Sequence, residues 1–105
     1  MRLPAAIPAV LGLALALGCN TVPARELTGA ELAGRLGCCA CHALHGRGGK
    51  LAPPLDGIGS RLSRQDLQVM LTYPRRLHPG ARMPSYAYLP PAEREALADF
   101  LLTLK

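Results

Sequence analysis

Apolar and polar positions divide this chain into one long apolar run and three short amphipathic stretches. The run, Ala5 to Gly18, follows Arg2 and is broken by Pro8. Its length and its single leading cation suit a secretory leader and fall short of a comfortable membrane span. Thr28-Gly29-Ala30-Glu31 then has the spacing of a capping box, with Leu32 and Leu36 sharing a face at i and i+4. That pattern predicts a short helix running into Cys38. Ser63 with Asp66 three residues on, followed by Leu67, Met70 and Leu71, predicts a second helix that Pro74 stops. Pro91 and Glu93 open a third, on which Leu97, Phe100, Leu101 and Leu104 repeat at threes and fours.

Between these helices lie two long connections. Ala43 to Ser60 is rich in Gly and Pro, and Pro74 to Pro90 carries Pro79-Gly80 and Met83-Pro84. No stretch alternates as a strand and no internal repeat is visible, so the class is all-α. Connections of this length are unusual in a compact domain unless they wrap something. At 105 residues the chain is sized for one domain, and with three Tyr, one Phe and no Trp its apolar faces are small. Chains of this size often need a disulfide, a metal or another internal prop. The bulk that would hold the loops is missing from the polypeptide. The net charge of +5 comes mostly from Arg dispersed along the chain. Dispersed charge argues against a nucleic-acid-binding arm and suits an acidic protein face.

The densest chemistry is Gly37-Cys38-Cys39-Ala40-Cys41-His42, and three of the four cysteines fall within it. Thiols this close together do not staple distant segments, which sets aside a disulfide framework. A thioredoxin-like pair expects a βαβ setting, and structural zinc needs a second pair of ligands that His45 and His78 supply only at poor spacing. Cys38-x-x-Cys41-His42 is instead the attachment signature of c-type haem. At the end of a helix the two thiols reach two vinyl groups of one porphyrin, and His42 projects beneath the ring to bind iron. Cys39 occupies an x position and reads as a bystander. For the opposite side of the iron the candidates are Met83, Met70, His78 and His45. Met70 lies on an apolar helix face and reads as core filler, and His45 is too near His42 to cross a ring. Met83 sits in a loop stiffened by Pro79 and Pro84, which favours it, with His78 as the second choice.

Together these residues make the chain from Thr28 to Lys105 resemble a small class I, single-haem cytochrome c. Ala52-Pro53-Pro54-Leu55 is similar to that family's Gly-Pro-x-Leu turn, and Pro79-Gly80-Ala81-Arg82-Met83 to its Pro-Gly-Thr-Lys-Met segment. The resemblance implies orthogonal helices with long loops wrapped around one covalent haem. It implies thioethers at Cys38 and Cys41, His42 as proximal ligand and Met83 as distal ligand. The Pro53 carbonyl would accept from the His42 ring, and Arg61, eight residues after Pro53, would lie near a haem propionate. Tyr73 and Arg82 are further propionate candidates. The first and last helices would meet through Ala33 or Gly34 against Phe100. Two departures stand out: Ala52 replaces the Gly before Pro53, and the chain has no Trp for a propionate contact.

The functional expectation is therefore a one-electron carrier and not an enzyme, exported to the bacterial periplasm or to the outer face of a membrane. Residues 1–24 are read as the signal peptide and 25–105 as the cytochrome domain, with Val22-Pro23-Ala24 as the cleavage motif. Ala16-Leu17-Gly18-Cys19 also resembles a lipobox, in which case cleavage precedes Cys19 and that Cys carries a lipid anchor. Arg47, Lys50, Arg75, Arg76 and Arg82 lie on the loops expected near the haem edge, where they would steer a redox partner with an acidic face. The same residues would serve a cytochrome subunit of a larger dehydrogenase or oxidase. An open-site haem sensor or enzyme is the remaining alternative.

Overall fold

The computed structural model describes residues 1–6 and 25–105. The expected leader cleavage sites and Cys19 lie outside the described residues. From Arg25 onward the fold is helix-rich: α1 (Gly29–Arg35), α2 (Cys38–Cys41), α3 (Ile58–Arg61), α4 (Arg64–Thr72), α5 (Pro74–Leu77) and α6 (Pro91–Thr103), with one ribbon of β1 (Ala43–Leu44) and β2 (Arg47–Gly48).

Local chemistry accounts for the helix starts. Thr28 accepts from the Glu31 N–H while the Glu31 carboxylate takes the Thr28 N–H, and Ser63 and Asp66 repeat the arrangement on α4. Each box satisfies two donors that the first helical turn leaves free. Pro74 and Pro91 open α5 and α6, where a missing N–H costs nothing.

Three expectations need correction. The helix from Thr28 does not run through to Cys38: it stops at Leu36, and Gly37 adopts φ +75° before α2 begins. Only glycine takes that left-handed conformation freely, so Gly37 re-aims the chain. The connection after Ala43 is not structureless either. β1 and β2 pair antiparallel, Ala43 with Gly48 and Leu44 with Arg47, around a His45-Gly46 turn in which both residues have positive φ. Two-residue strands are too short to show alternation, and the turn uses His-Gly instead of the familiar Asn-Gly. Of the two residues expected at the α1–α6 contact, finally, Ala33 is buried in the shared core and Gly34 is exposed; the tightest approach is instead at Gly29. A Cβ on Gly29 would fall onto the Ala96 carbonyl oxygen and crowd Phe100, whereas Gly34 meets nothing within 4 Å.

The core joins α1, α4 and α6. Leu67, Leu71 and Leu97 are its largest fully buried side chains, with Leu32, Ala33, Ala98 and Leu101 around them. Phe100, Leu104 and Leu36 are half-buried against this cluster. The short α3 docks on the end of the chain. Gly59 donates its N–H to the Leu104 carbonyl (2.8 Å) and accepts from Lys105 Nζ (3.0 Å), and a Cβ there would strike the Leu102 carbonyl oxygen.

Two measurements check this packing. Gly29→Ala forces two helix backbones apart and lowers stability by about 1–3 kcal/mol. Gly34→Ala adds only helix propensity and raises stability by roughly 0.5–1 kcal/mol; thermal unfolding of the two variants should move in opposite directions. The second concerns acid. The Arg25 guanidinium and then the Thr28 N–H hold the Glu31 carboxyl at about 2, below its ordinary 4.5. A depressed carboxylate stabilises the fold above its unfolded pKa and stops doing so as pH falls through the folded value. The difference in melting temperature between wild type and Glu31→Gln should therefore be full above about pH 5 and vanish near pH 2.

Candidate haem-binding site

α2 is a single turn, so Cys38 and Cys41, three positions apart, share one of its faces. Cys38 is half-buried, and both Cys39 and Cys41 are exposed. Burial pushes the Cys38 thiol up, and the neighbouring Cys39 adds to the effect. His42 caps the turn in extended conformation, its N–H donating to the Cys38 carbonyl at 3.0 Å.

The backbone after His42 then folds back on the motif. Gly49 donates to the Cys39 carbonyl (2.9 Å), Ala52 to the Cys41 carbonyl (3.0 Å) and Leu55 to the Ala43 carbonyl (2.8 Å). Laced in this way, the strap of residues 52–56 brings the Pro53 carbonyl oxygen to 2.6 Å from His42 Nδ1. A carbonyl can only accept, so the proton belongs to Nδ1. In the neutral ring Nε2 then carries a bare lone pair, the form in which imidazole binds a metal.

His42 lines an apolar crevice of about 70 Å³ together with Cys38, Leu55, Leu67, Met70 and Met83. Met83 reaches it from the Pro79–Pro90 connection, which is tied down by Tyr86 N–H to the Leu71 carbonyl (2.7 Å) and by the Ser85 hydroxyl to Thr72. Met83 also lines a larger cleft of about 670 Å³ whose other walls include Tyr73, Arg75, Arg76, Arg82 and Ser85. The Arg76 guanidinium lies 4.2 Å from the centre of the Tyr73 ring.

The structure thus gathers Cys38, His42 and Met83 around one crevice and puts Tyr73 and Arg82 on the neighbouring cleft. His78 is exposed and lines neither. Met70, expected as filler, is a wall of the same crevice as Met83. Arg61 reaches inward to the strap, donating to the carbonyls of Asp56 (2.8 Å) and Pro54 (3.4 Å). Nothing in the sequence pattern marks Asp56, yet its carboxylate accepts the His45 N–H at 3.0 Å and lies 3.3 Å from His45 Nδ1. Among the described residues no three His, Cys, Asp or Glu side chains gather as a metal cage of the kind structural zinc requires.

The donor set suits haem: two thiols on one turn, an imidazole with a free Nε2, a thioether and apolar walls. The sequence pattern of the family described as Cytochrome c matches residues 27–105. No curated protein matches the chain. The match spans α1 to α6 with the Cys38–His42 motif and the strap inside it, and the chain belongs to the cytochrome c family, whose members hold a c-type haem, an iron porphyrin, covalently and generally carry electrons.

Proposed function

We propose that this protein carries one haem with His/Met-ligated iron and shuttles single electrons in a periplasmic or membrane-surface chain. The observation that carries the reading is the 2.6 Å contact of His42 Nδ1 with the Pro53 carbonyl oxygen, which leaves Nε2 free on a residue lining a crevice shared with Cys38 and Met83. Bound haem supplies the ferrous/ferric couple; the chain supplies everything that tunes it. Cys38 and Cys41 hold the group covalently, and His42 takes the proximal position. Met83 takes the distal one, because its thioether already lines the crevice and its loop is bounded by Pro79 and Pro84. A soft neutral sulfur favours the reduced state, and apolar walls disfavour the additional charge of the oxidised one, so the potential is comparatively high. With His42 and Met83 both holding the iron, bond-making chemistry would be disfavoured.

In this reading α1 and α6 cross near the perpendicular, and the connections before and after α4 wrap the haem. Arg75, Arg76 and Arg82 share the cleft beside Met83, and among the described residues no acidic side chain lines it. That charge favours docking of a redox partner through an acidic face and accelerates encounter at low salt. Residues 1–24 direct export, consistent with thioether formation outside the cytoplasm, and Cys19 is the point of lipid attachment if cleavage precedes it.

Covalent attachment is checked by acid denaturation and extraction. The colour stays with the chain in wild type and in Cys39→Ser, and is extracted once Cys38 and Cys41 are both replaced by serine. Ligation is checked by spectra and potentiometry of three variants. Met83→Ala loses the red-end sulfur-to-iron band and shifts the couple toward ferric by at least about a hundredfold, roughly 120 mV at about 59 mV per tenfold. Met70→Ala and His78→Ala keep both properties near wild type. A lost band in Met70→Ala, or bis-His behaviour abolished by His78→Ala, overturns the assignment.

A further inference from the structure

The strap that orients His42 has an unusual problem of attachment. Pro53 and Pro54 possess no N–H, so this stretch has few donors of its own and is laced by Ala52 and Leu55 at its sides. Its other hydrogen bonds, to His42 and Arg61, are made through its carbonyls, by donors brought from elsewhere. His42 Nδ1 takes the Pro53 carbonyl. Arg61 takes the next carbonyl, that of Pro54, and also that of Asp56, with its two terminal nitrogens.

Arg61 is itself on a fixed base. It is the last residue of α3, and α3 is pinned to the chain terminus through Gly59, which exchanges hydrogen bonds with Leu104 and Lys105 and leaves no room for a side chain against Leu102. The space its guanidinium crosses is kept open by Gly57, where a Cβ would lie 3.2 Å from Arg61 Nη1. On the far side of the strap, the Asp56 carboxylate holds the His45 N–H.

The geometry points to Arg61 as a positioning residue for the proximal imidazole: from a helix anchored on α6, its forked guanidinium holds the Pro54 and Asp56 carbonyls and so keeps the Pro53 carbonyl on His42 Nδ1. This role differs from the propionate contact that the family resemblance implies, and it rests on the proposed binding of iron by His42. Its chemical consequence has a definite sign. An imidazole that donates firmly at Nδ1 is a more basic donor at Nε2 and favours the more positive, oxidised iron. Loosening the strap weakens that donation and raises the reduction potential. Removing a nearby positive charge does the reverse.

Arg61→Lys separates these effects, because lysine keeps the charge but lacks the planar fork that reaches two carbonyls together. The holoprotein should shift about threefold toward ferrous, roughly 30 mV at about 59 mV per tenfold. In the reduced protein, solvent exchange of the His42 Nδ1 proton, followed by NMR, should accelerate at least tenfold. Arg61→Gln loses the fork and the charge together, so its potential mixes two opposed effects, but its His42 Nδ1 proton should also exchange at least tenfold faster. A lysine variant equal to wild type in both potential and exchange, or a glutamine variant whose Nδ1 proton exchanges at the wild-type rate, overturns the clamp. Failure of His42 ligation is distinguishable, since it would appear in the wild-type spectrum as iron that is not low-spin, whereas failure of the clamp appears only in the variants.

Discussion

A proton shared between His42 Nδ1 and the Pro53 carbonyl is the constraint around which the rest of the chain is arranged. It fixes the tautomer, and with it the only nitrogen free to act as a ligand. Holding it requires two segments eleven positions apart to stay in register within a few tenths of an ångström. The sequence meets that demand with backbone more than with side-chain packing. Ala52 and Leu55 donate to carbonyls on either side of His42, and the β1–β2 ribbon folds the intervening residues out of the way. Each such bond contributes only about 0.5–1.5 kcal/mol net, so the register depends on several acting together.

The helices enter as a frame for this lacing. Leu67 and Leu71 on α4 and Leu97 and Leu101 on α6 form a common core, and both Leu67 and Leu101 also line the crevice. Core and site therefore share side chains. The close approach of α1 to α6 at Gly29 places α2, one residue beyond a left-handed Gly37, on the edge of that core. A Cβ at Gly29 would be felt first as lost stability and then as a displaced Cys38–Cys41 turn.

How much of this was legible in the residues follows from how local each cause is. Both capping boxes, the proline that opens α6, and the apolar faces of α4 and α6 depend on neighbours within four positions, and the sequence displays them. Pro74 reads there only as a stop within a loop, yet it also opens α5. The Cys38–His42 motif is equally local. The ribbon was hidden because its strands are two residues long and its turn is His45-Gly46. The choice of Gly29 over Gly34 was hidden because both are small, and only the tertiary approach of Ala96 distinguishes them. The partners of Arg61 were illegible for a related reason: a guanidinium's targets are backbone carbonyls, which carry no signature in the sequence. Asp56 was missed because a carboxylate serving a main-chain N–H eleven residues back looks like any surface acid.

Under the proposed His42/Met83 ligation, the two sides of the site are held by different means, and the difference matches what each would have to do. On the proximal side, hydrogen bonds reach Cys39, Cys41, His42 and Ala43 from the chain that follows, with Arg61 and Asp56 bracing the strap. On the distal side, the described bonds attach the segment at its ends, through Ala81 to His78 and through Ser85 and Tyr86 to α4 and its C-terminal residues. Arg82 to Pro84 between them relies on proline stiffness and on the half-buried Met83 side chain. An imidazole must keep one proton on one acceptor if its donor strength is to stay constant, and that calls for dense lacing. A thioether has no proton to place and is a weak, neutral donor whichever way it rotates, so pre-set φ at Pro79 and Pro84 is enough to bring it near. On that proposal, rigidity is concentrated where electron density on the ligand would have to be controlled, and the softer ligand is left on the softer segment.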